Sequence, residues 1–260
     1  MAICSFCGRD ERLTREHIWS NIVLRLFDEE APLTVDERRG IIHGGDPLIK
    51  DLCQDCNSGM GDVDAAMGAF AGKHLTEELV QGSRVEFADP NLLRWVMKTA
   101  SNHERCLGTN ATWWQHFVDF FIGKDVDTSN VDVFLAPWKD LSPGQIETQT
   151  GGVLTLGAHS FLFAGLRNVD PKHAHSHTES TWALKVGFGV FALIVWKENV
   201  PSEIRDSIAE ELREYGWLQR GEDDIVGGIP FNMITSKLYY IPSAPDEVDP
   251  LGLMSRHGDG

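Results

Sequence analysis

Cys4-Ser5-Phe6-Cys7-Gly8 and Cys53-Gln54-Asp55-Cys56-Asn57 are two cysteine knuckles separated by 45 residues. Each Cys-x-x-Cys turn offers two thiolates to one ion, so the pair supplies the ligand set of a closed tetrahedral zinc site. Gly8 closes the first turn with a small residue that lets backbone amides approach sulfur. The opening residues, with Cys4, Cys7 and then charged side chains, are not expected to act as a secretory signal, and in a reducing compartment paired knuckles favour zinc over disulfides. Cys4, Cys7, Cys53 and Cys56 are therefore expected to hold a structural zinc, and Cys106 is expected to be a small buried hydrophobe.

Working outward, Leu13–Trp19 reads as a short strand after the first knuckle, and Pro47–Leu52 as a second strand leading into the other. Residues 20–47 form an excursion between them, with an apolar patch at 22–27, an acidic run and then glycines. A helix is expected from Asn57, with Met60, Val63, Met67 and Phe70 at helical spacing. Asp89-Pro90 caps and opens a helix over 90–106, whose apolar face carries Leu92, Leu93, Val96 and Ala100. Trp113, Trp114, Phe117, Phe120 and Phe121 are expected in the core.

From residue 131 the texture changes to strands at Val131–Leu135, Val153–Leu156, His159–Leu166 and Thr181–Trp196. A helix follows from Pro201-Ser202, then a final strand over Pro230–Ile241 and a loose tail. The expected class is α+β, organised as a zinc-stapled module over 1–80, an α+β domain over 81–245 and a tail over 246–260. Within it a helical middle precedes a mostly antiparallel sheet with a covering helix.

Composition narrows the function. A net charge of −16 argues against coating nucleic acid through a broad basic face. The arginines of the first 60 residues (Arg9, Arg12, Arg15, Arg25, Arg38, Arg39) still cluster where phosphates could be held. A homo-oligomer or an activating protein partner would be another source of positive charge. No apolar run approaches the roughly 20 residues needed to span a bilayer, so no membrane is expected and the cytoplasm is the expected location. The triple His173-Ala174-His175-Ser176-His177 reads as a solvated turn rather than a metal site, and Gly187-Phe188-Gly189 is too isolated for a phosphate loop.

Zinc joining the knuckles would bring Glu16, His17 and Asn57 together. A neutral histidine can take a proton near pH 7, and a carboxylate with an amide oxygen suits Mg²⁺ or Mn²⁺. Cys-x-x-Cys, then Glu16-His17-Ile18, then Cys-x-x-Cys-Asn57 resembles the zinc-knuckle branch of the HNH (ββα-metal) endonucleases over roughly residues 4–72. The resemblance implies a metal-dependent endonuclease that hydrolyses phosphodiester bonds in nucleic acid, with DNA the expected substrate. It makes His17 the general base and Glu16 a ligand of the catalytic divalent metal. Asn57 becomes a second ligand or a group that orients the base. A third polar ligand is expected on the next helix, at Asp62 or, by its helical phase with Asn57, at Asp64. The chain departs from the family pattern in its glutamate for aspartate, its long inter-strand loop, and Trp19-Ser20 where a proline is usual. A packed histidine and a helix-capping asparagine explain the same residues without chemistry, and lead to the alternative of a catalytically silent zinc module that binds DNA or protein.

Overall fold

The computed structural model describes residues 2–27, 33–36, 41–44, 48–79, 84–107, 112–137, 144–147, 153–156, 162–166, 177–214 and 216–221. Strands β1 (Ala2–Ile3) and β2 (Asp10–Glu11) pair across the first knuckle. Strand β3 (Leu13–His17), helix α1 (Asn21–Leu26) and the hairpin β4 (Leu33–Asp36)/β5 (Ile41–Gly44) follow. The apolar patch at 22–27 is thus a short helix, with Val23 and Leu24 buried. Strand β6 (Leu48–Cys53) returns antiparallel to β3 and runs directly into α2 (Gln54–Ser58) and α3 (Gly61–His74). The helix expected from Asn57 is therefore two helices. Met60, Val63, Met67 and Phe70 are buried as its spacing requires.

Helix α4 (Pro90–Leu107) starts as expected, because Asp89 Oδ1 accepts the Asn91 N–H at 2.8 Å. It packs against α3, and its Leu92, Leu93, Trp95, Val96, Met97 and Ala100 are all buried. A 3-10 turn (Trp113–Phe117) and α5 (Val118–Phe121) bury the five aromatic residues assigned to the core. Cys106 is exposed, contrary to expectation, because the last turn of α4 runs out of the core there.

The second half is a five-stranded antiparallel sheet in the order β10-β11-β12-β7-β13. Its strands are β7 (Val131–Pro137), β10 (Leu162–Leu166), β11 (Thr178–Val186), β12 (Gly189–Trp196) and β13 (Leu218–Gln219), with β8 (Gly144–Glu147) and β9 (Val153–Leu156) as a separate hairpin. Along β12, Phe191, Leu193 and Val195 face the main core, while Val190, Ala192, Ile194 and Trp196 face Ile208 and Leu212 of α6 (Ser202–Glu214). Burial on both faces explains why this strand reads as an unbroken apolar run. The architecture is α+β, and buried residues on either side of position 80 belong to one cluster. The strand over 230–241, the tail and His173 to Ser176 lie outside the described residues. Among the described residues no helix is long and apolar enough to cross a membrane.

The segment Thr181–Trp196 is a hairpin rather than one strand, and the reason is Gly187. Its φ is +54°, and a Cβ there would lie 2.1 Å from the Leu75 carbonyl oxygen. Only glycine fits such a turn pressed against the end of α3. Phe188 N–H donates to that same carbonyl at 3.0 Å.

Polar groups on α4 bind the two halves together. One Glu104 carboxylate oxygen accepts hydrogen bonds from Trp113 Nε1 at 2.7 Å, Ser180 Oγ at 2.8 Å and Trp182 Nε1 at 2.8 Å. Next to it in the chain, the His103 ring lies 5.2 Å from that of Trp19 and 5.8 Å from that of Trp182. Burial holds it down at about 3, below its ordinary 6.5. A histidine kept neutral in the fold leaves the unfolded chain to take the proton first. Its stabilising contribution is complete above pH 6.5 and is lost as pH falls from there towards 3. His103→Phe should flatten the acid side of the stability profile by up to about 1.4 kcal/mol per pH unit. Urea midpoints at neutral and mildly acidic pH test this; parallel profiles for the two proteins would refute it.

Candidate metal centre and the strand it holds

The two knuckles meet. The ligand atoms of Cys4, Cys7, Cys53 and Cys56 all lie within 4.8 Å of one another, and Cys7 Sγ is 3.7 Å from Cys53 Sγ. Zn–S bonds of about 2.3 Å in a tetrahedron place sulfurs about 3.8 Å apart, so the donor set fits a closed thiolate site. The cluster could hold a metal ion such as zinc. Cys4, Cys53 and Cys56 are buried and Cys7 is exposed. The Cys53 backbone N–H donates to Cys4 Sγ at 3.3 Å, and Gly8 takes a φ of +70° where the first knuckle turns back. Arg9 lies over the cluster, donating to Cys7 Sγ at 3.2 Å, to Cys53 Sγ at 3.7 Å and to Asp55 at 2.9 Å. Its hydrogen bonds to Cys7 hold that thiol down at about 6, whereas burial pushes Cys56 up.

The second knuckle also positions β3. Cys53 is the N-cap of α2, so Asn57 lies inside that helix and does not cap it. Its Nδ2 instead donates to Thr14 Oγ1 at 3.0 Å and to the Arg15 carbonyl at 3.1 Å. Thr14 Oγ1 in turn donates to the Leu52 carbonyl at 3.0 Å. The backbone immediately before Glu16-His17 is thereby tied to the helix that carries Cys56. Opposite it the register jumps from Thr14↔Leu52 to Glu16↔Ile49, so Lys50 and Asp51 both face Arg15 in a bulge.

Glu16 and Asp64 are brought together, but by a lysine. Lys98 Nζ lies 3.1 Å from Glu16 Oε1 and 3.0 and 3.2 Å from the two oxygens of Asp64. The side chains of Lys98 and Glu16 are only 4% and 3% exposed. Burial pulls the ammonium down, but the attraction and hydrogen bonds of the two carboxylates outweigh it and hold it above its ordinary value. Asn102 Nδ2 adds donations to Glu16 Oε1 at 3.2 Å and to the His17 carbonyl at 3.3 Å. Arg105 grips Asp51 at 2.6 Å. His17 is half-buried at the end of β3.

Lys98, Asn102 and Arg105 thus form one stripe of α4 that clamps the strand pair. The sequence reading passed over them, and the available signal was their i, i+4, i+7 spacing inside a helix otherwise buried by apolar residues. The face shared by Asn57 and Asp64 also fails as an argument, because the break between α2 and α3 shifts the helical phase. The carboxylates expected to hold a catalytic Mg²⁺ or Mn²⁺ do not fit that ion as arranged, since the Lys98 ammonium lies between them. The chain matches no protein-family model, no curated protein and no solved structure.

Proposed function

We propose that residues 2–74 form a zinc-stapled ββα module of the HNH type that hydrolyses phosphodiester bonds in nucleic acid, DNA foremost, with His17 as general base. The observation that supports this reading is the Asn57 amide donating to Thr14 and Arg15, which holds the Glu16-His17 strand against the second knuckle. Zinc on four thiolates has no open position and serves the fold alone. In the reaction the oxygen of a water bonds to phosphorus, its proton passes to the His17 imidazole, and the P–O3′ bond breaks as the departing 3′-oxygen takes a proton from solvent water. Asn57 acts by positioning the backbone of the base strand. Glu16 neutralises Lys98 and anchors the strand end.

A second reading, a module that binds nucleic acid without cutting it, is favoured by the ammonium of Lys98 in the place expected for a divalent ion. Nicking of supercoiled plasmid with and without Mg²⁺ or Mn²⁺ separates the two. The nuclease reading predicts cutting by the wild type and a loss of about 10²–10⁴ in rate for His17→Ala, at unchanged zinc content and melting temperature. A wild type that binds DNA and never nicks it would sink that reading and leave the second.

A further inference from the structure

Beside the metal cluster, an open groove of about 670 Å³ is lined by Arg12, Leu13, Thr14, Arg15, Lys50 and Gln54. Three of these six side chains are cations, and all three are exposed. No acidic residue lines the groove in a chain whose net charge is −16. Four neighbouring acids are matched elsewhere. Glu11 and Asp55 pair with Arg9 at 3.0 and 2.9 Å, Asp51 with Arg105 at 2.6 Å, and Glu16 with Lys98 at 3.1 Å. Among the described residues Arg12, Arg15 and Lys50 enter no ion pair. The bulge in β6 is what sets Lys50 opposite Arg15, and the Asn57 donation fixes the backbone of Arg15.

From this juxtaposition we infer that Arg12, Arg15 and Lys50 form a docking groove for the phosphate backbone of a nucleic-acid strand. The inference rests on the proposed nuclease-type reading for its choice of polyanion, since Arg15 stands two residues before His17 on the same strand. Guanidinium forks take phosphate oxygens in pairs, and an ammonium adds a point charge. The surrounding acidity does not forbid such a contact, because at physiological salt the Debye length is about 8 Å and the local charges dominate. Only three phosphates are neutralised, so binding is weak. Its affinity falls with salt at a slope of about −3 for a duplex, at about −0.9 per phosphate.

The test is binding of a fluorescent DNA duplex to the full chain carrying His17→Ala, without divalent metal, across a salt series. In that background Arg12→Gln, Arg15→Gln and Lys50→Gln together should weaken binding on the order of tenfold to a hundredfold and bring the salt slope near zero. Lys124→Gln, at an exposed cation paired with Asp119, should leave both unchanged. Equal binding by the triple variant and its parent overturns the groove, as does absence of binding by the parent. Competition by polyglutamate as strong as by unlabelled DNA also overturns it, since the site would then be one for an acidic peptide. Groove-dependent binding by a wild type that never nicks plasmid upholds the groove while removing the nuclease. Nicking that survives the triple variant unchanged does the reverse.

Discussion

Chelating the metal, or replacing Cys53 with serine, is expected to unfold the β3/β6 pair and to lower the melting temperature of the whole chain sharply. Cys4, Cys53 and Cys56 lie in the same buried cluster as Leu52, Met60, Trp95 and Phe191. Without an ion, four thiol groups within 4.8 Å must either stay protonated or repel one another. Structural zinc contributes about 10–16 kcal/mol of apparent binding free energy in small modules, against a total stability of about 5–15 kcal/mol for a typical domain. Even part of that sum exceeds what the strand pair retains alone. Elemental analysis should find one zinc per chain in the wild type and none in Cys53→Ser, with loss of the cooperative melt at the wild-type temperature. A chelated protein that melts unchanged would show that the knuckles hold together without the ion.

Removing Lys98 should cost about as much as any single side-chain change in the module. Glu16 is buried, and Lys98→Met leaves its charge with only the Asn102 amide for compensation. Breaking one partner of a buried pair typically costs about 3–5 kcal/mol, far more than the pair contributes over a neutral substitute. The double variant Lys98→Met/Glu16→Gln should therefore recover much of the loss, and a denaturant titration of the three proteins reads this directly. Lys98→Ala adds a second readout. It leaves Glu16 and Asp64 facing a vacated position, and Mn²⁺ should then raise its melting temperature while leaving that of the wild type unchanged. Equal stability of Lys98→Met and wild type would mean the lysine does not hold this pair in solution. A wild type stabilised by Mn²⁺ in a Glu16-dependent way would show that the ammonium yields its place to metal.

The parts of the site legible in the sequence are those built from neighbours. Two thiolates on one tight turn identify a ligand pair by spacing alone, and Asn57 beside Cys56 must follow wherever the second knuckle goes. The Asp89 cap and the unbroken apolar run of β12 are likewise local. The Glu16–Lys98–Asp64 contact was not legible, because its partners come from three elements and Lys98 stands 34 residues from Asp64. Asn102 meets Glu16 across 86 residues. On paper such residues look like the solvated face of a helix, and only the packing of α4 against the strand pair turns that face inward. The Gly187 turn escaped for a related reason, since the carbonyl that forbids a side chain there belongs to Leu75.

The sequence by itself determined the four cysteines that cluster, the strand–strand–helix order around them and the mixed class of the chain, because spacing and periodicity act within a few residues. The tertiary structure alone decided which charges are cancelled and which are left open. Coulomb pairing depends on distance in space, and helix α4 assigns Lys98 to the carboxylates while, among the described residues, Arg12, Arg15 and Lys50 enter no ion pair along the groove.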